Sequence, residues 1–146
     1  GEAPICLSWS RTNRSALVRV PGYRPRSEVA CRLELRSPDP SANPYLAFAV
    51  MLAAGLKGIE EGLEPPDPVE DGSLGDLARQ ELRDRGFATL PDSLGQAVEL
   101  FAGSRLMREV LGEHIHSYLV QEKRREWNEY QSSVSSWELD RYLEVL

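Results

Sequence analysis

The chain has 146 residues, of which 41% are hydrophobic and 27% charged, a composition that suits one modest globular core. Its net charge of −6 argues against nucleic acid and against an anionic membrane surface as partners. The longest apolar run, residues 45–56, is too short to span a bilayer, and no segment has the pattern of a signal peptide.

The front of the chain contains three apolar runs that predict strands, at residues 5–9, 16–20 and 29–36. Cys6 and Cys31 fall in the first and last of these runs. We predict that both are buried free thiols, rather than a disulfide or a metal-binding pair. Free thiols are typical of the cytosol, so the cytoplasm is the expected compartment.

The last predicted strand has a row of charges along one face. Side chains alternate between the two faces of a strand, so Arg32, Glu34 and Arg36 share one face and apolar residues occupy the other. One interpretation is a solvated face with ion pairs that contribute little energy each. The other is an anion-binding surface with one carboxylate available to hold a metal.

Two further arginines lie near the second predicted strand, Arg14 just before it and Arg19 within it. A guanidinium group makes planar, bidentate contacts with phosphates and carboxylates. Four arginines around one carboxylate need additional anions to balance their charge. In a chain that is acidic overall, this pattern favours a discrete anion site over a basic surface.

A long helix is predicted after these strands. Asn43 suits the N-cap and Pro44 the first helical position, and the pattern continues to about Glu61. The helix is apolar nearly all round as far as Leu52, so we expect it to be buried on most sides. An exposed, acidic, proline-rich loop is predicted at residues 64–72, followed by a weakly ordered stretch at 75–87.

Three later helices are predicted: one after a cap at Pro91-Asp92-Ser93, with apolar positions as far as Met107, one over residues 113–130, and a short one capped by Ser135 or Ser136 and ending at Leu146. His114 and His116 are two residues apart and so lie on different helix faces. We interpret both as structural or surface residues. Strands in front and helices behind predict an α+β fold, with a small antiparallel sheet portion followed by packed helices.

Several motifs resemble the C-terminal part of the catalytic domain of the glutamine synthetase family. They are Asn13-Arg14-Ser15-Ala16 with Arg19-Val20-Pro21, Arg32-Leu33-Glu34-Leu35-Arg36, and Asp39-Pro40-Ser41-Ala42-Asn43-Pro44-Tyr45. Glu2-Ala3-Pro4 resembles the flap motif of that family, and residues 136–143 are similar to its C-terminal segment. The resemblance implies that residues 1–146 are the C-terminal portion of a single catalytic domain, and that the N-terminal half of the enzyme is absent.

The resemblance implies an activity: ATP-dependent ligation of ammonia to glutamate, which gives glutamine through a γ-glutamyl phosphate. The implied cofactors are ATP and Mg²⁺ or Mn²⁺, and the full-length enzyme would be a homo-oligomer. In the family the C-terminal segment reaches into a partner subunit, so residues 137–146 are a candidate assembly element. Two alternatives stay open: a γ-glutamyl ligase for an organic amine or polyamine, and a non-catalytic family member.

Roles for individual residues also follow from the resemblance. Glu34 resembles a divalent-metal ligand, and a carboxylate oxygen suits Mg²⁺ or Mn²⁺. Arg19 and Arg32 resemble the arginines that hold the ATP phosphates. Arg14 resembles the catalytic arginine between phosphate and glutamate, and Arg36 resembles the one that binds the substrate carboxylate.

Four further positions concern the flap, the nucleotide and regulation. Glu2 resembles the flap glutamate that closes the ammonium site and acts there as a general base. Arg24 and Arg26, in a loop longer than the common bacterial pattern, are the candidates for an additional nucleotide contact. Many bacterial members have a nucleotidylated tyrosine where this chain has Gly75, which argues against that form of regulation.

Overall fold

A computed structural model describes residues 4–22, 32–70 and 77–143. The secondary-structure elements within these ranges are the strands Trp9–Ser10 (β1), Val18–Arg19 (β2) and Glu34–Leu35 (β3) and the helices Pro44–Glu60 (α1), Arg79–Asp84 (α2), Leu94–Gly103 (α3), Arg105–Ser132 (α4) and Ser136–Tyr142 (α5). The chain divides into two compact units, residues 1–90 and 91–146. The sheet and helices confirm the predicted α+β class.

The three strands form one mixed sheet in the order β1-β2-β3. The β2–β3 pair is antiparallel, as predicted, whereas β1 runs parallel to β2. Arg19 pairs with Glu34 across the antiparallel pair, so both side chains lie on the same face of the sheet. Each strand has only two residues, which is shorter than the apolar runs predicted.

The core of the first unit is centred on Cys6 and Leu82, which are 3% and 0% exposed. Cys6 forms an isolated bridge with Thr89, and the Leu7 N–H donates to the Ala88 carbonyl at 2.8 Å. Cys6 is a buried free thiol, which confirms that part of the prediction. Cys31 lies outside the described residues.

The prediction of a weakly ordered stretch at residues 75–87 is wrong for the part that the structure describes. Residues 79–84 form α2, and Leu82 is fully buried against Cys6. The stabilising contact is a tertiary one, between residues far apart in the sequence. Local composition therefore could not reveal it.

The predicted burial of α1 is also wrong. Its N-terminus forms as expected, since Asn43 Oδ1 accepts from the backbone N–H of Tyr45 at 3.0 Å. No residue of the helix is buried, and Phe48 and Ile59 are 66% and 79% exposed. None of the described helices or strands packs extensively against α1. The apolar composition of a helix indicates which residues can be buried. Their burial also needs a partner surface.

The second unit is built on the packing of α3 against α4. Ser93 caps α3, and Ser104 ends it and caps α4, since Ser104 Oγ accepts from the Met107 N–H at 3.3 Å. The helix predicted at 113–130 therefore has an additional piece before it, and Met107 belongs to α4 rather than α3. The two pieces of α4 meet at Gly112, whose φ of 74° is outside the helical region.

His116 is part of the core between α3 and α4. It is 2% exposed, and its Nε2 lies 3.1 Å from the Phe101 carbonyl oxygen. Its ring stacks on the ring of Phe101, with the ring centroids 4.9 Å apart. His114 is exposed. These placements confirm the structural and surface interpretations of the two histidines. Among the described helices, none combines the length and the apolar character needed to cross a membrane.

Candidate functional site

The charged face of the sheet consists of Arg19, Glu34 and Arg36. Arg19 Nη1 lies 3.4 Å from Glu34 Oε2, and Arg36 Nε lies 3.5 Å from Glu34 Oε1. The antiparallel register places Arg19 opposite Glu34, and the Arg36 N–H donates to the Leu17 carbonyl at 2.9 Å. The pairing of β2 with β3 thus brings together three residues that the sequence placed on two separate strands.

The geometry of this charged face leaves Glu34 available for further contacts. Its two ion-pair distances exceed the roughly 2.7–2.9 Å of a tight charge-assisted hydrogen bond. The side chains of Arg19, Glu34 and Arg36 are 31%, 43% and 20% exposed, so solvent screens the pairs. Two guanidinium groups and one carboxylate leave an excess of positive charge, which suits an anionic ligand.

Arg14 and Arg32 lie in the chain segments next to the strands of the charged face, and both are exposed. Arg14 is in the turn between β1 and β2, and Arg32 precedes β3. Within the described part of the chain, the ion pairs of Glu34 are those with Arg19 and Arg36. Glu2, like Arg24, Arg26 and Gly75, lies outside the described residues.

The turn that contains Arg14 is held by hydrogen bonds on both sides of this residue. The Asn13 N–H donates to Ser10 Oγ at 2.8 Å, and the Ser15 N–H donates to Asn13 Oδ1 at 2.8 Å. Ser10 is fully buried and Asn13 is 7% exposed. The backbone around Arg14 is therefore fixed, while its side chain reaches solvent.

Glu70 also belongs to this region, although no motif in the sequence points to it. Its carboxylate accepts from Ser10 Oγ at 2.7 Å, from the Arg11 N–H at 3.1 Å and from the Thr12 N–H at 3.0 Å, and also from Thr12 Oγ1. The Thr12 hydroxyl, then the Ser10 hydroxyl and the Arg11 N–H, lower the pKa of Glu70 to about 2. Glu70 is far from the turn in sequence, so no local pattern could identify it.

The acidic, proline-rich segment before Glu70 is attached to β1. Trp9 Nε1 donates to the Pro66 carbonyl at 2.5 Å, and the Val69 N–H donates to the Trp9 carbonyl at 2.8 Å. Most of this segment is exposed, as predicted for residues 64–72. Its contacts with β1 nevertheless give it a defined position beside the sheet.

A divalent cation could use Glu34 as one ligand. The carboxylate is a hard oxygen donor of the kind that Mg²⁺ and Mn²⁺ prefer, and it is partly exposed. The described residues contain no group of three or more histidine, cysteine, aspartate or glutamate side chains that could hold a metal ion. A set of three or more such side chains that includes Glu34 would therefore need residues outside the described ones.

Comparison with known proteins decides the family. Residues 1–142 match the sequence model of the family described as glutamine synthetase, catalytic domain. The chain belongs to the glutamine synthetase family. It is 48% identical over 145 residues to the glutamine synthetase of Mycolicibacterium smegmatis, and 46% identical over 142 residues to that of Thermus thermophilus. These alignments cover 99% and 97% of this chain, but 32% and 31% of the two relatives.

A solved structure described as apo GmaS without ligand has the same fold, with a TM-score of 0.78 and 33% sequence identity. The match covers 97% of this chain and 30% of that structure. This chain therefore spans about a third of the length of the glutamine synthetases and of the structure that it matches. The family membership confirms the resemblance drawn from the sequence motifs.

Proposed function

We propose that the full-length protein containing this chain ligates ammonia to glutamate with ATP and forms glutamine through a γ-glutamyl phosphate. The observation that supports this most is Glu34 between Arg19 and Arg36 on one face of the sheet, in a chain of the glutamine synthetase family. In this proposal the chain is the C-terminal portion of the catalytic domain. It supplies cationic groups, one metal ligand and one general base.

The arginines bind and orient the two reacting anions. Arg19 and Arg32 hold phosphate oxygens of ATP, and Arg36 binds the carboxylate of glutamate. Phosphoryl transfer spreads negative charge over the equatorial oxygens of the transferred group. Guanidinium groups fixed in advance stabilise that charge without having to reorganise during the reaction. The ion pairs with Glu34 favour positions of Arg19 and Arg36 on the same face before the substrates bind.

Arg14 and Glu2 act closest to the chemistry. Arg14 lies between phosphate and glutamate, so it neutralises charge on both while the acyl phosphate forms. Glu2 closes the ammonium site and takes a proton from ammonium, which leaves neutral ammonia as the nucleophile. The hydrogen bonds that fix Asn13 and Ser15 define the position of the Arg14 backbone.

Glu34 would hold Mg²⁺ or Mn²⁺ together with ligands from the rest of the protein. When bound, the metal neutralises negative charge on the phosphate groups. Glu34 also separates the two arginines electrostatically, because its charge lies between them. The carboxylate thus orders the charged face in the absence of substrate.

Assembly and location complete the proposal. Trp137 and Tyr142 of α5 are 61% and 50% exposed. Their rings are arranged edge to face, with the ring centroids 6.0 Å apart. Large exposed aromatic side chains are common at protein interfaces, so α5 is proposed to contact a second copy in a homo-oligomer. The cytoplasmic location stays a prediction from cysteine usage.

The test is glutamine formation by the purified full-length protein with ATP, glutamate and ammonia. We expect stoichiometric release of ADP and phosphate that depends on both glutamate and ammonia. A parallel assay replaces ammonia with an organic amine or a polyamine. Turnover with the larger amine alone would establish the other γ-glutamyl ligase hypothesis. No turnover with any amine would favour the non-catalytic hypothesis.

A further inference from the structure

The connection between β1 and β2 is unusually short for parallel strands. Parallel neighbours normally need a connection of about a dozen residues or more. Here residues 11–17 return the chain from Ser10 to Val18. Within this connection, backbone N–H groups donate to side-chain oxygens of Glu70, Ser10 and Asn13 rather than to a neighbouring strand. Arg14 lies at the centre of this connection.

Glu70 supplies acceptors for the first half of the connection. Its two carboxylate oxygens accept from the backbone N–H groups of Arg11 and Thr12, and from the hydroxyls of Ser10 and Thr12. Hydrogen bonds to a charged acceptor are about twice as strong as neutral ones. Several of them on one carboxylate explain why its pKa falls to about 2.

Ser10 connects Glu70 to Asn13, the residue before Arg14, through hydrogen bonds of its hydroxyl group. Its Oγ donates to Glu70 at 2.7 Å, and it accepts from the Thr12 N–H at 3.1 Å and from the Asn13 N–H at 2.8 Å. A hydroxyl has one proton, so donation to Glu70 leaves the oxygen lone pairs for these backbone groups. Ser10 is 0% exposed, so water cannot replace these partners at low cost.

We propose that Glu70 is a positioning residue for Arg14: it fixes the connection of residues 11–17 so that Arg14 is held ready for its anionic ligand. This inference rests on the proposed ligase function and deepens it. In this proposal Glu70 makes no contact with the substrates. It acts through Ser10, Thr12 and Asn13, and it also ties the end of the proline-rich segment to the site. Its loss would allow Arg14 to occupy several positions, which lowers the rate of the chemical step more than substrate binding.

The first measurement follows the turn directly and does not depend on activity. Hydrogen exchange is compared for the full-length protein, its Glu70→Gln variant and a control variant, Glu64→Gln, which alters an exposed carboxylate of the same segment. We expect amides of residues 11–13 to exchange about tenfold faster in Glu70→Gln and at the wild-type rate in Glu64→Gln. Unchanged exchange in Glu70→Gln would overturn the proposal.

The second measurement is a double-mutant cycle in the ligase assay. We expect Glu70→Gln to lower kcat about tenfold, with changes in KM for ATP and glutamate of less than threefold. In an Arg14→Ala background the same change should lower kcat less than twofold, because Glu70 acts through Arg14. An equal loss in both backgrounds would show a general structural role and overturn the proposal.

A third variant addresses folding. Glu70→Asp keeps the charge and should restore kcat to within about threefold of the wild type, whereas the neutral, nearly isosteric glutamine does not. If Glu70→Gln fails to fold, Thr12→Val removes one of the hydrogen bonds to Glu70 and is compared with Glu70→Asp, which keeps the charge. A Thr12→Val enzyme with wild-type kcat and wild-type hydrogen exchange would count against the proposal. A wild-type protein that forms no glutamine would overturn the proposed function and the catalytic half of this inference, while hydrogen exchange still decides whether Glu70 holds the turn.

Discussion

At the scale of single residues, Glu34 is in contact with both arginines of the charged face, which suggests two different roles. As an ion-pair partner it would only order Arg19 and Arg36. As a metal ligand it would also supply a negative charge to a cation that neutralises phosphate. The two roles predict different consequences when its charge is removed.

Glu34→Gln in the full-length protein should weaken the dependence of activity on Mg²⁺ or Mn²⁺ and leave the fold intact. An amide is a poorer ligand for a hard cation than a carboxylate. Even mutating a residue that only hydrogen-bonds to a metal ligand costs about tenfold or more in metal affinity or activity. The exposed ion pairs contribute at most about 1 kcal/mol, so stability should hardly change. A metal titration of activity measures the effect. Unchanged metal dependence would mean that Glu34 serves only Arg19 and Arg36.

Arg36→Lys and Arg19→Lys should affect different substrates. A lysine cannot reproduce the two-bond fork of a guanidinium group. Losing one hydrogen bond to a charged group costs about 1.5–3 kcal/mol, or roughly tenfold or more. We therefore expect Arg36→Lys to raise KM for glutamate about tenfold and KM for ATP much less, and Arg19→Lys to do the reverse. Steady-state kinetics with each substrate varied in turn is the measurement.

Equal effects of both variants on both substrates would contradict these separate assignments. The four arginines would then act as one electrostatic field. Either result is informative because Arg19 and Arg36 contact the same carboxylate, at 3.4 and 3.5 Å. Their environments are thus matched, and each variant serves as the control for the other.

Glu70 also predicts a pH dependence of stability. Its pKa is lowered from 4.5 to about 2 by the Thr12 and Ser10 hydroxyls and the Arg11 N–H, so the unfolded chain binds this proton first as the pH falls. The stability that these bonds contribute is complete above pH 4.5 and is lost as the pH falls toward 2. Glu70→Gln should therefore lose less stability between pH 6 and pH 3 than the wild type, measured by urea unfolding. Parallel losses in the two proteins would contradict this.

At the scale of elements, local signals were predictable and long-range contacts were not. The caps at Asn43, Ser93 and Ser135 are confirmed, because each depends on a side chain and a backbone N–H within three residues. The charged face was predictable as a set of residues, but its register depends on strand pairing. Helix α2 and the Glu70 contacts depend on partners distant in sequence, so no periodicity could reveal them.

The exposure of α1 has a different cause. Its sequence correctly indicates an apolar helix, and the prediction of burial assumed that a partner surface is present. Leu52 and Phe48 are each 66% exposed in the described structure. Hydrophobic pattern determines which face of a helix can be buried, while the rest of the structure determines whether it is.

The packing of α3 on α4 gives a prediction about Gly95. A Cβ at Gly95 would lie 2.5 Å from Trp127 Nε1, so the indole ring would have to move. Gly95→Ala should destabilise this unit by about 1–2 kcal/mol, since strain in a packed site exceeds the gain in helix propensity. Hydrogen exchange of α3 and α4 amides in the full-length protein should be about tenfold faster.

Gly103→Ala is the matched control for this substitution. Gly103 ends the same helix, and a Cβ there would meet no atom within 4 Å. Alanine at such a position restricts the unfolded chain and should leave exchange unchanged or slightly slower. If Gly95→Ala behaves in the same way as Gly103→Ala, the contact between Gly95 and Trp127 is not a tight one.

At the scale of the whole molecule, the proposed catalytic site needs residues beyond those of this chain. It spans about a third of the glutamine synthetases that it matches, and its described residues contain no cluster of three potential metal ligands. The proposed chemistry needs a metal with a complete ligand set, a nucleotide and two further substrates in register. Catalysis by positioning weakens strongly when part of the constellation is missing, and a displacement of about 1 Å can lower the rate roughly a hundredfold.

The isolated 146-residue chain should therefore show no γ-glutamyl transfer, while the full-length protein forms glutamine under the same conditions. The charged face has two guanidinium groups and one carboxylate, so we expect the isolated chain to attract phosphates without turning them over. The measurement is glutamine formation with ATP, glutamate, ammonia and Mg²⁺ at equal molar concentrations of the two proteins. The Arg19→Lys variant of the full-length protein provides a reference of intermediate activity, because it has all the other groups of the proposed site and only a weakened contact with ATP. Measurable glutamine formation by the isolated chain would show that residues 1–146 contain every group that the reaction requires.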